Sequence, residues 1–465
     1  MKNLRYCFAL FLAKLSKPLL KITGHHGTDF PGLIALKICP NFLQYIPKPN
    51  LIIGVTGTNG KTTCSNLLSD ALNKLGNDVL NNSEGSNTVT GICTSFINNI
   101  SIFGRIRRDV AVLELDERSA RLIFPNIKPN VLLVTNLSRD SIMRNGHPEF
   151  ISYILERYMP KETKLILNAD DLISSNLSPA NPRIYYGIDS LPEDKTECAN
   201  LINDMQICPI CHSKLTYEYN RYSNIGKALC TSCNYKSPEY DYEGCDIDFE
   251  KRLMSISHNN IRKNFKIFDP SIFNIYNQVA VVSLLSELGH TLDDLSNIFI
   301  NLEITKSRLD NYYIGNIFFQ AILCKDRNAY AASRVFEYIN SQDGDKEILL
   351  YCNSFNDAKE WSENTCWLYD CDFELLTDKR IKRIILCHDR RYDYKLRLLN
   401  AGVEESRIIC TENPMDGVND LLCFDNDNIY LLYGLLYGEN EKIISRVKEK
   451  IISVLEQKAK KLEER

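Results

Sequence analysis

The chain has 465 residues, of which 44% are hydrophobic and 25% are charged, and its formal net charge at pH 7 is −4. This length exceeds one ordinary hydrophobic core and predicts two or three domains. The small acidic excess argues against a nucleic-acid binder, because such domains normally carry a basic excess. Seventeen cysteines in so long a chain indicate reduced thiols, some holding metal, and not a small secreted disulfide framework. We therefore expect a cytoplasmic protein.

Residues 1–48 are predicted to form an N-terminal helical segment packed on the domain that follows. Lys14, Lys17 and Lys21 interrupt its apolar residues. No window of the sequence therefore approaches the ~18 apolar residues that a membrane span requires. The pattern favours an amphipathic helix, and peripheral contact with a membrane is the alternative.

Residues 49–304 alternate short aliphatic runs with helical patterns, which predicts βαβ units and a mainly parallel sheet. The first run, Leu51–Thr56, reads as a buried strand that leads into a glycine-rich turn and a helix. Further strands are predicted at residues 109–115, 131–135 and 164–168, and a helix at 274–288.

The glycine-rich turn carries the strongest chemical pattern in the chain. Its glycines allow successive backbone N–H groups to face one concavity at a helix N-terminus, where phosphate binds. Lys61 is predicted to reach the β- and γ-phosphates of ATP, and the Thr62 hydroxyl to bind Mg²⁺. A strict phosphate loop has glycine where this chain has Val55. The candidate ATP-binding residues are Gly57, Thr58, Asn59, Gly60, Lys61, Thr62 and Thr63.

A cluster of carboxylates ends the next predicted strand. Glu114 is the first candidate to hold Mg²⁺ beside the phosphates, because a strand-end carboxylate commonly does so in nucleoside-triphosphate sites. Asp116 and Glu117 are weaker candidates.

Two C-x₂-C pairs, separated by eighteen residues, lie in an insertion at about residues 200–240. This spacing predicts a zinc ribbon in which four thiolates fill a tetrahedral Zn²⁺ site, so the metal is structural. Redox-active C-x-x-C is the alternative. Lys214, Arg221, Lys227 and Lys236 lie nearby but are balanced by acidic residues, which argues against a nucleic-acid surface. The predicted ligands are Cys208, Cys211, Cys230 and Cys233.

Residues 305–465 predict a second α/β domain. The domain begins near residues 308–316, and its predicted strands lie at residues 317–323, 347–351, 383–386 and 428–432. A closing amphipathic helix carries apolar residues at Ile444, Val447, Ile451 and Leu455, with charged residues on its other face.

Several segments together resemble the Mur ligase family. The resemblance implies a P-loop central domain and a C-terminal Rossmann-like domain. It also implies Mg²⁺ at Glu114, adenine beside Asn277, nucleotide contact by Arg308, and ATP-dependent activation of a carboxylate as an acyl phosphate. The matching segments are GTNGKTT at Gly57–Thr63, TNLSRD at Thr135–Asp140, LNADD at Leu167–Asp171, FNIYN at Phe273–Asn277, and Ser307–Arg308.

Within that family the chain is most similar to the MurT subunits of lipid II isoglutaminyl synthase. It is expected to lack a separate UDP-sugar domain before the nucleotide domain, and it carries the four-cysteine insertion. Ser141 and Met143 depart from the family pattern, so the resemblance does not decide whether a second Mg²⁺ site exists. The segments that match MurT are GTDFPG at Gly27–Gly32, WLYDCDFE at Trp367–Glu374, and residues 388–402.

The MurT resemblance implies a heterodimer with a GatD-type class I glutaminase that delivers ammonia. The D-glutamate α-carboxylate of the lipid II stem peptide would become D-isoglutamine, with membrane contact through the lipid substrate. Asp370 is the matching position for the aspartate that completes the glutaminase's Cys-His pair, with Asp372 and Asp357 as other choices.

Two other functions fit parts of the sequence. One is a Mur-like or folylpolyglutamate-synthase-like ligase that adds an amino acid to another carboxylate acceptor and needs no partner. The other is a P-loop binding protein whose zinc ribbon recognises nucleic acid or a partner.

Overall fold

The computed structural model divides the chain into two compact units. The first comprises residues 1–138, 147–199 and 203–305, and the second comprises residues 139–146, 200–202 and 306–465. The residues described are 4–22, 28–83, 86–101, 103–139, 147–300, 302, 309–324, 328–353, 364–423, 428–434 and 439–463.

A nine-stranded sheet organises the first unit, with strand order β11-β10-β9-β6-β5-β4-β1-β3-β2, and β7 and β8 pair separately as a hairpin. All neighbours from β2 to β9 pair in parallel, whereas β10 and β11 are antiparallel additions. The strands are β1 (Leu51–Thr56), β2 (Val79–Asn81), β3 (Val110–Glu114), β4 (Val131–Val134), β5 (Lys164–Asn168), β6 (Arg183–Ile188), β7 (Leu215–Tyr222), β8 (Ile225–Cys230), β9 (Tyr242–Asp248), β10 (Leu253–His258) and β11 (Ile261–Lys266).

Helices cover this sheet, as expected for parallel strands that are buried on both faces. In the described part of the chain, no helix is both long enough and apolar enough to cross a bilayer. The helices are α1 (Leu4–Ile22), α2 (Phe30–Ile38), α3 (Phe42–Tyr45), α4 (Lys61–Lys74), α5 (Val89–Asn99), α6 (Ala120–Ile123), α7 (Pro148–Tyr158), α8 (Ile272–Glu287) and α9 (Leu292–Ile300).

The second unit contains a six-stranded sheet in the order β12-β13-β17-β14-β15-β16, parallel except for β12. Apolar clusters lie on both of its faces, and α13 buries Ile444, Val447, Ile451 and Leu455 in one of them. The elements are β12 (Leu309–Ile314), β13 (Ile317–Leu323), α10 (Ala329–Ser341), β14 (Lys346–Tyr351), β15 (Ile381–Cys387), α11 (Arg391–Asn400), β16 (Ile408–Thr411), α12 (Pro414–Gly417), β17 (Asn428–Tyr433) and α13 (Glu439–Glu463).

The predicted α/β class with parallel sheets is confirmed, and each predicted strand is present within a few residues. Strand β9 and the antiparallel strands β10 and β11 were not predicted, because their polar residues obscure the alternation of buried positions. One local indication of this hairpin exists. Asn259 and Asn260 connect β10 to β11 with φ of 49° and 65°, the left-handed pair that two-residue hairpin turns require.

Candidate active site

The turn between β1 and α4 has the backbone of a phosphate-binding loop. Gly57 and Gly60 adopt φ of +128° and +84°, which side-chain-bearing residues rarely do. A Cβ atom on Gly57 would lie 2.2 Å from Thr135 Oγ1 and 2.8 Å from the Asn136 carbonyl oxygen. A Cβ atom on Gly60 would lie 2.3 Å from Asn277 Oδ1. Both glycines are therefore required for space as well as for conformation.

Gly57→Ala is expected to weaken ATP binding by tenfold or more, because the added methyl group displaces the loop from its neighbours. Gly76→Ala is the matched control. Gly76 has φ of +89°, and a Cβ atom added there would have nothing within 4 Å, so this variant carries only the backbone cost of about 1 kcal/mol. Fluorescent-nucleotide titration and urea unfolding of both variants check this. Equal affinities would contradict the assigned crowding at Gly57.

The segment that follows β4 holds the loop from one side. Thr58 N donates to the Asn136 carbonyl at 2.8 Å, and Asn59 N donates to Asn136 Oδ1 at 3.2 Å. Thr135 Oγ1 donates to the Asn59 carbonyl, and Ser138 N donates to Thr58 Oγ1. Hydrogen bonds thus join the glycine-rich loop and residues 135–138 into one structure.

Helix α8 closes the other side of the loop. Asn277 lies against Gly60 and is buried, and Cys64 Sγ, in the first turn of α4, lies 3.4 Å from Asn277 Oδ1. The structure therefore brings this predicted adenine-site residue to the loop. Arg308, Ser141 and Met143 lie outside the described residues.

The Lys61 ammonium forms an ion pair with the carboxylate of Glu117, a residue that follows β3. Its Nζ lies 2.6 Å from Glu117 Oε1 and also donates to the Gly57 carbonyl, while Gly57 N donates to the same Glu117 oxygen at 3.1 Å. Both side chains are largely buried, with 15% and 5% of their surface exposed. Burial raises the pKa of Glu117, and the Lys61 ammonium opposes that shift. An ammonium and a backbone N–H that already bind one anionic oxygen are donors suited to a phosphate oxygen.

Glu114, the preferred magnesium candidate, has different partners. Its Oε1 accepts from Asn87 Nδ2 at 3.1 Å, and its backbone N donates to Asn82 Oδ1. It is partly exposed at the end of β3. Glu117, the weaker sequence candidate, is the carboxylate that contacts Lys61. Oxygen ligands from Thr62 and these two carboxylates suit Mg²⁺, and the assignment to Glu114 stays a prediction.

The four predicted zinc ligands lie together in the β7–β8 hairpin and the turns beside it. Their Sγ atoms all lie within 4.8 Å of one another. Cys208 and Cys233 are 3.6 Å apart, and Cys211 and Cys230 are 3.5 Å apart. Four thiolates at about 2.3 Å from a tetrahedral zinc ion are separated by about 3.8 Å. The cluster therefore fits zinc, and the Ile210 N–H donates to Cys208 Sγ.

The tip of this hairpin is buried in the first unit, and Arg221, one of the basic residues noted near the cysteines, is buried with it. Arg221 has 4% of its side chain exposed and binds both carboxylate oxygens of Asp194, at 3.0 and 2.7 Å. It also lies 3.6 Å from Asp170, whose oxygens accept from the hydroxyls of Tyr219 and Tyr276. A single sequence gives no local sign of this burial, because the partners are distant in the chain.

A second contact at the tip leads to the phosphate loop. Asn224 Nδ2 donates to Asp171 Oδ1 at 2.5 Å, and Asp171 Oδ2 accepts from Leu137 N at 2.6 Å. Leu137 directly precedes Ser138, whose backbone N–H donates a hydrogen bond to Thr58 Oγ1. The hairpin thus supports the segment that holds the loop. Burial raises the pKa of Asp171 to about 6, although hydrogen bonds to its carboxylate, that from Leu137 N among them, oppose the shift.

Asp370 lies in the second unit at the end of a short 3₁₀ helix. Its Oδ2 is 3.3 Å from the guanidinium of Arg139, and its side chain is 31% exposed. Asp372 is instead buried, accepting from Leu201 N at 2.7 Å and from Asn200 Nδ2. Buried Arg397 fixes the segment by donating to the carbonyls of Leu368 and Cys371 and to Glu374. Asp370 is therefore accessible and Asp372 is structural, and Asp357 is outside the described residues.

Both units contain segments that match known protein families. Residues 55–206 match the family model of the Mur ligase middle domain, and residues 326–435 match that of the MurT ligase C-terminal domain. A pseudomurein peptide ligase type C from Methanothermus fervidus has a TM-score of 0.65 at 20% identity, covering 89% of this chain and 81% of that one. MurF from Thermotoga maritima in complex with ADP gives 0.57 at 14% identity, covering 93% and 85%. The fold is that of the Mur ligases, a class of ATP-dependent ligases.

Two curated relatives are similar over nearly their full length. The MurT subunit of lipid II isoglutaminyl synthase (glutamine-hydrolyzing) from Staphylococcus aureus is 31% identical over 409 residues, 87% of this chain and 90% of that protein. The one from Streptococcus pneumoniae is 30% identical over 456 residues, 96% and 98% of the two chains. The chain belongs to the MurT family of Mur ligases.

Proposed function

We propose that this chain is the ATP-dependent ligase subunit that amidates lipid II, converting the D-glutamate α-carboxylate of its stem peptide to D-isoglutamine. The observation that carries the proposal is the phosphate loop. Its lysine and a backbone N–H already bind one anionic oxygen, in a chain at least 30% identical to MurT subunits over most of its length.

The chemistry follows from the donors in the loop. A substrate carboxylate oxygen attacks the γ-phosphorus of ATP, the bond to the β-phosphate oxygen breaks, and ADP leaves. Ammonia then attacks the acyl phosphate carbon, inorganic phosphate leaves, and nitrogen loses a proton to give the amide. Lys61 and the loop N–H groups stabilise the charge on the transferring phosphoryl group. Mg²⁺ held by Thr62 and Glu114 would neutralise phosphate charge when bound.

The sulfur spacing supports a structural Zn²⁺ at the four cysteines. Cysteines without a disulfide in the described chain support a cytoplasmic location. We assign residues 49–304 to ATP binding and residues 305–465 to the MurT-type domain, with residues 1–48 packed on the former. Arg308 is proposed to contact nucleotide.

Reconstitution tests the reaction directly. The full chain, ATP, glutamine, lipid II and a GatD-type glutaminase are incubated together, and amidation is measured by mass spectrometry. Amidated lipid II that requires both ATP and the partner is expected. If the chain instead attaches an amino acid to an acceptor without glutamine or partner, the alternative ligase is correct and the amidation proposal is wrong.

Asp370→Asn is expected to lower glutamine hydrolysis by the complex by roughly 10²-fold or more, because a neutral amide cannot orient and stabilise a catalytic imidazolium. ATP binding should be unchanged. Asp345→Asn is the matched control, since Asp345 also lies 3.3 Å from a cation, Lys382, in the same unit. Glutamate release and nucleotide titration are measured. Unchanged glutamate release in the Asp370 variant would remove this carboxylate from the chemistry.

A further inference from the structure

Helix α1 exposes an apolar stripe on the side opposite to its packed face. Four large side chains form this outer stripe, and they fall within an arc of about 60° when successive residues are 100° apart. The packed face buries Tyr6, Ala9, Leu10 and Ala13. The outer stripe consists of Leu4, Phe8, Phe11 and Leu15, with 87%, 57%, 61% and 47% of their surface exposed.

Two lysines of α1 lie on the side of the helix that faces α5. The helix sequence has no acidic residue, and its charged residues are one arginine and three lysines. Lys14 and Lys17, together with Arg107, line an open cavity of about 390 Å³ beside α5. Lys14 Nζ donates to the carbonyls of Ile97 and Ile100, and Lys17 Nζ donates to Asn98 Oδ1. Burial, followed by the charges of Arg107 and Lys17, lowers the pKa of Lys14.

Three cations facing one cavity, without a carboxylate in its lining, repel one another and favour an anion. Pro18 also lines the cavity and lies only about 20° from Phe11 around the helix, so the cavity borders the outer stripe. The outer stripe itself favours a hydrocarbon boundary. An anionic lipid surface supplies both, because its phosphates lie directly above its acyl chains. A mixed-charge protein surface would complement neither the unbroken stripe nor the single sign of charge.

We propose that α1 docks this protein on the surface of an anionic phospholipid bilayer. The outer stripe enters the boundary between headgroups and acyl chains, and Lys17 and Arg107 bind lipid phosphates from the cavity. The helix lies along the surface and does not cross it. This docking is independent of the proposed amidation, since it requires neither ATP nor a partner.

Vesicle flotation of the full chain tests the docking. Wild-type protein is expected to float at least tenfold more with phosphatidylglycerol-containing vesicles than with pure phosphatidylcholine. The double variant Phe8→Ser/Phe11→Ser should lose at least tenfold of this binding. Leu122→Ser/Phe150→Ser is the matched control, because these residues are 49% and 45% exposed elsewhere in the first unit. It should bind like wild type.

A second pair of substitutions separates charge from apolar contact. Lys17→Gln/Arg107→Gln should abolish the preference for phosphatidylglycerol, and added salt should do the same to wild type. Thermal unfolding and ATP turnover of every variant report folding independently of lipid. The proposal is overturned if the wild-type protein does not bind anionic vesicles, or if the Phe8/Phe11 variant binds them as wild type does. So does a change confined to the oligomeric state or to glutaminase association.

Discussion

Lys61→Ala is expected to lower ATP turnover by roughly 10²–10³-fold or more, the usual effect of removing a charge-stabilising donor from a reaction centre. The Lys61 ammonium points into the loop and binds Glu117 at 2.6 Å. No other lysine is in the GTNGKTT segment to replace it. Turnover is measured as phosphate release from the reconstituted complex.

Stability complicates this variant in a predictable way. Removing Lys61 leaves Glu117 buried without its cationic partner, which costs about 3–5 kcal/mol for a well-buried pair. Lys61→Ala/Glu117→Gln removes the uncompensated charge as well, and should recover most of the unfolding free energy in urea without recovering turnover. Because folding and chemistry then separate, normal turnover in either variant would refute the phosphate-loop assignment.

Loss of the zinc site is expected to weaken nucleotide binding at a distance. Cys211→Ser should remove stoichiometric zinc and lower the thermal unfolding midpoint by several degrees or more, since structural zinc contributes directly to folding. ATP affinity should fall about tenfold, a coupling of about 1.4 kcal/mol. The physical link is the hairpin tip, where Asn224 binds Asp171 and Asp171 binds Leu137 N.

Two controls isolate this link. Cys366→Ser changes another exposed cysteine and should affect neither zinc content nor affinity. Asn224→Ala should retain zinc, measured by metal analysis, and still weaken ATP binding. A zinc-free Cys211 variant that binds ATP as tightly as wild type would show that the hairpin does not support the loop. Full zinc content in that variant would contradict the four-thiolate site itself.

Much of the architecture can be predicted from short stretches of the sequence. The strand Leu51–Thr56, the glycine turn and helix α4 were predicted together, because buried aliphatic runs and left-handed glycines are properties of neighbouring residues. The closeness of the four cysteines also follows from their spacing, since each C-x₂-C pair supplies two ligands from one turn. Parallel pairing followed from the alternation of strands and helices.

Other features depend on contacts that only the folded chain creates. Glu117, not Glu114, binds Lys61, which is 56 residues away in the sequence. Arg221 is buried because folding brings the carboxylates of Asp170 and Asp194 into contact with it. The sequence predicted an amphipathic α1 but did not decide which of its faces is covered, because apolar residues also occur between its basic residues. By itself, the sequence determined the backbone of the phosphate loop, the predicted zinc ligands and the sheet class. Tertiary structure decided which charges are paired and which apolar surface remains exposed, because both depend on residues far apart in the chain.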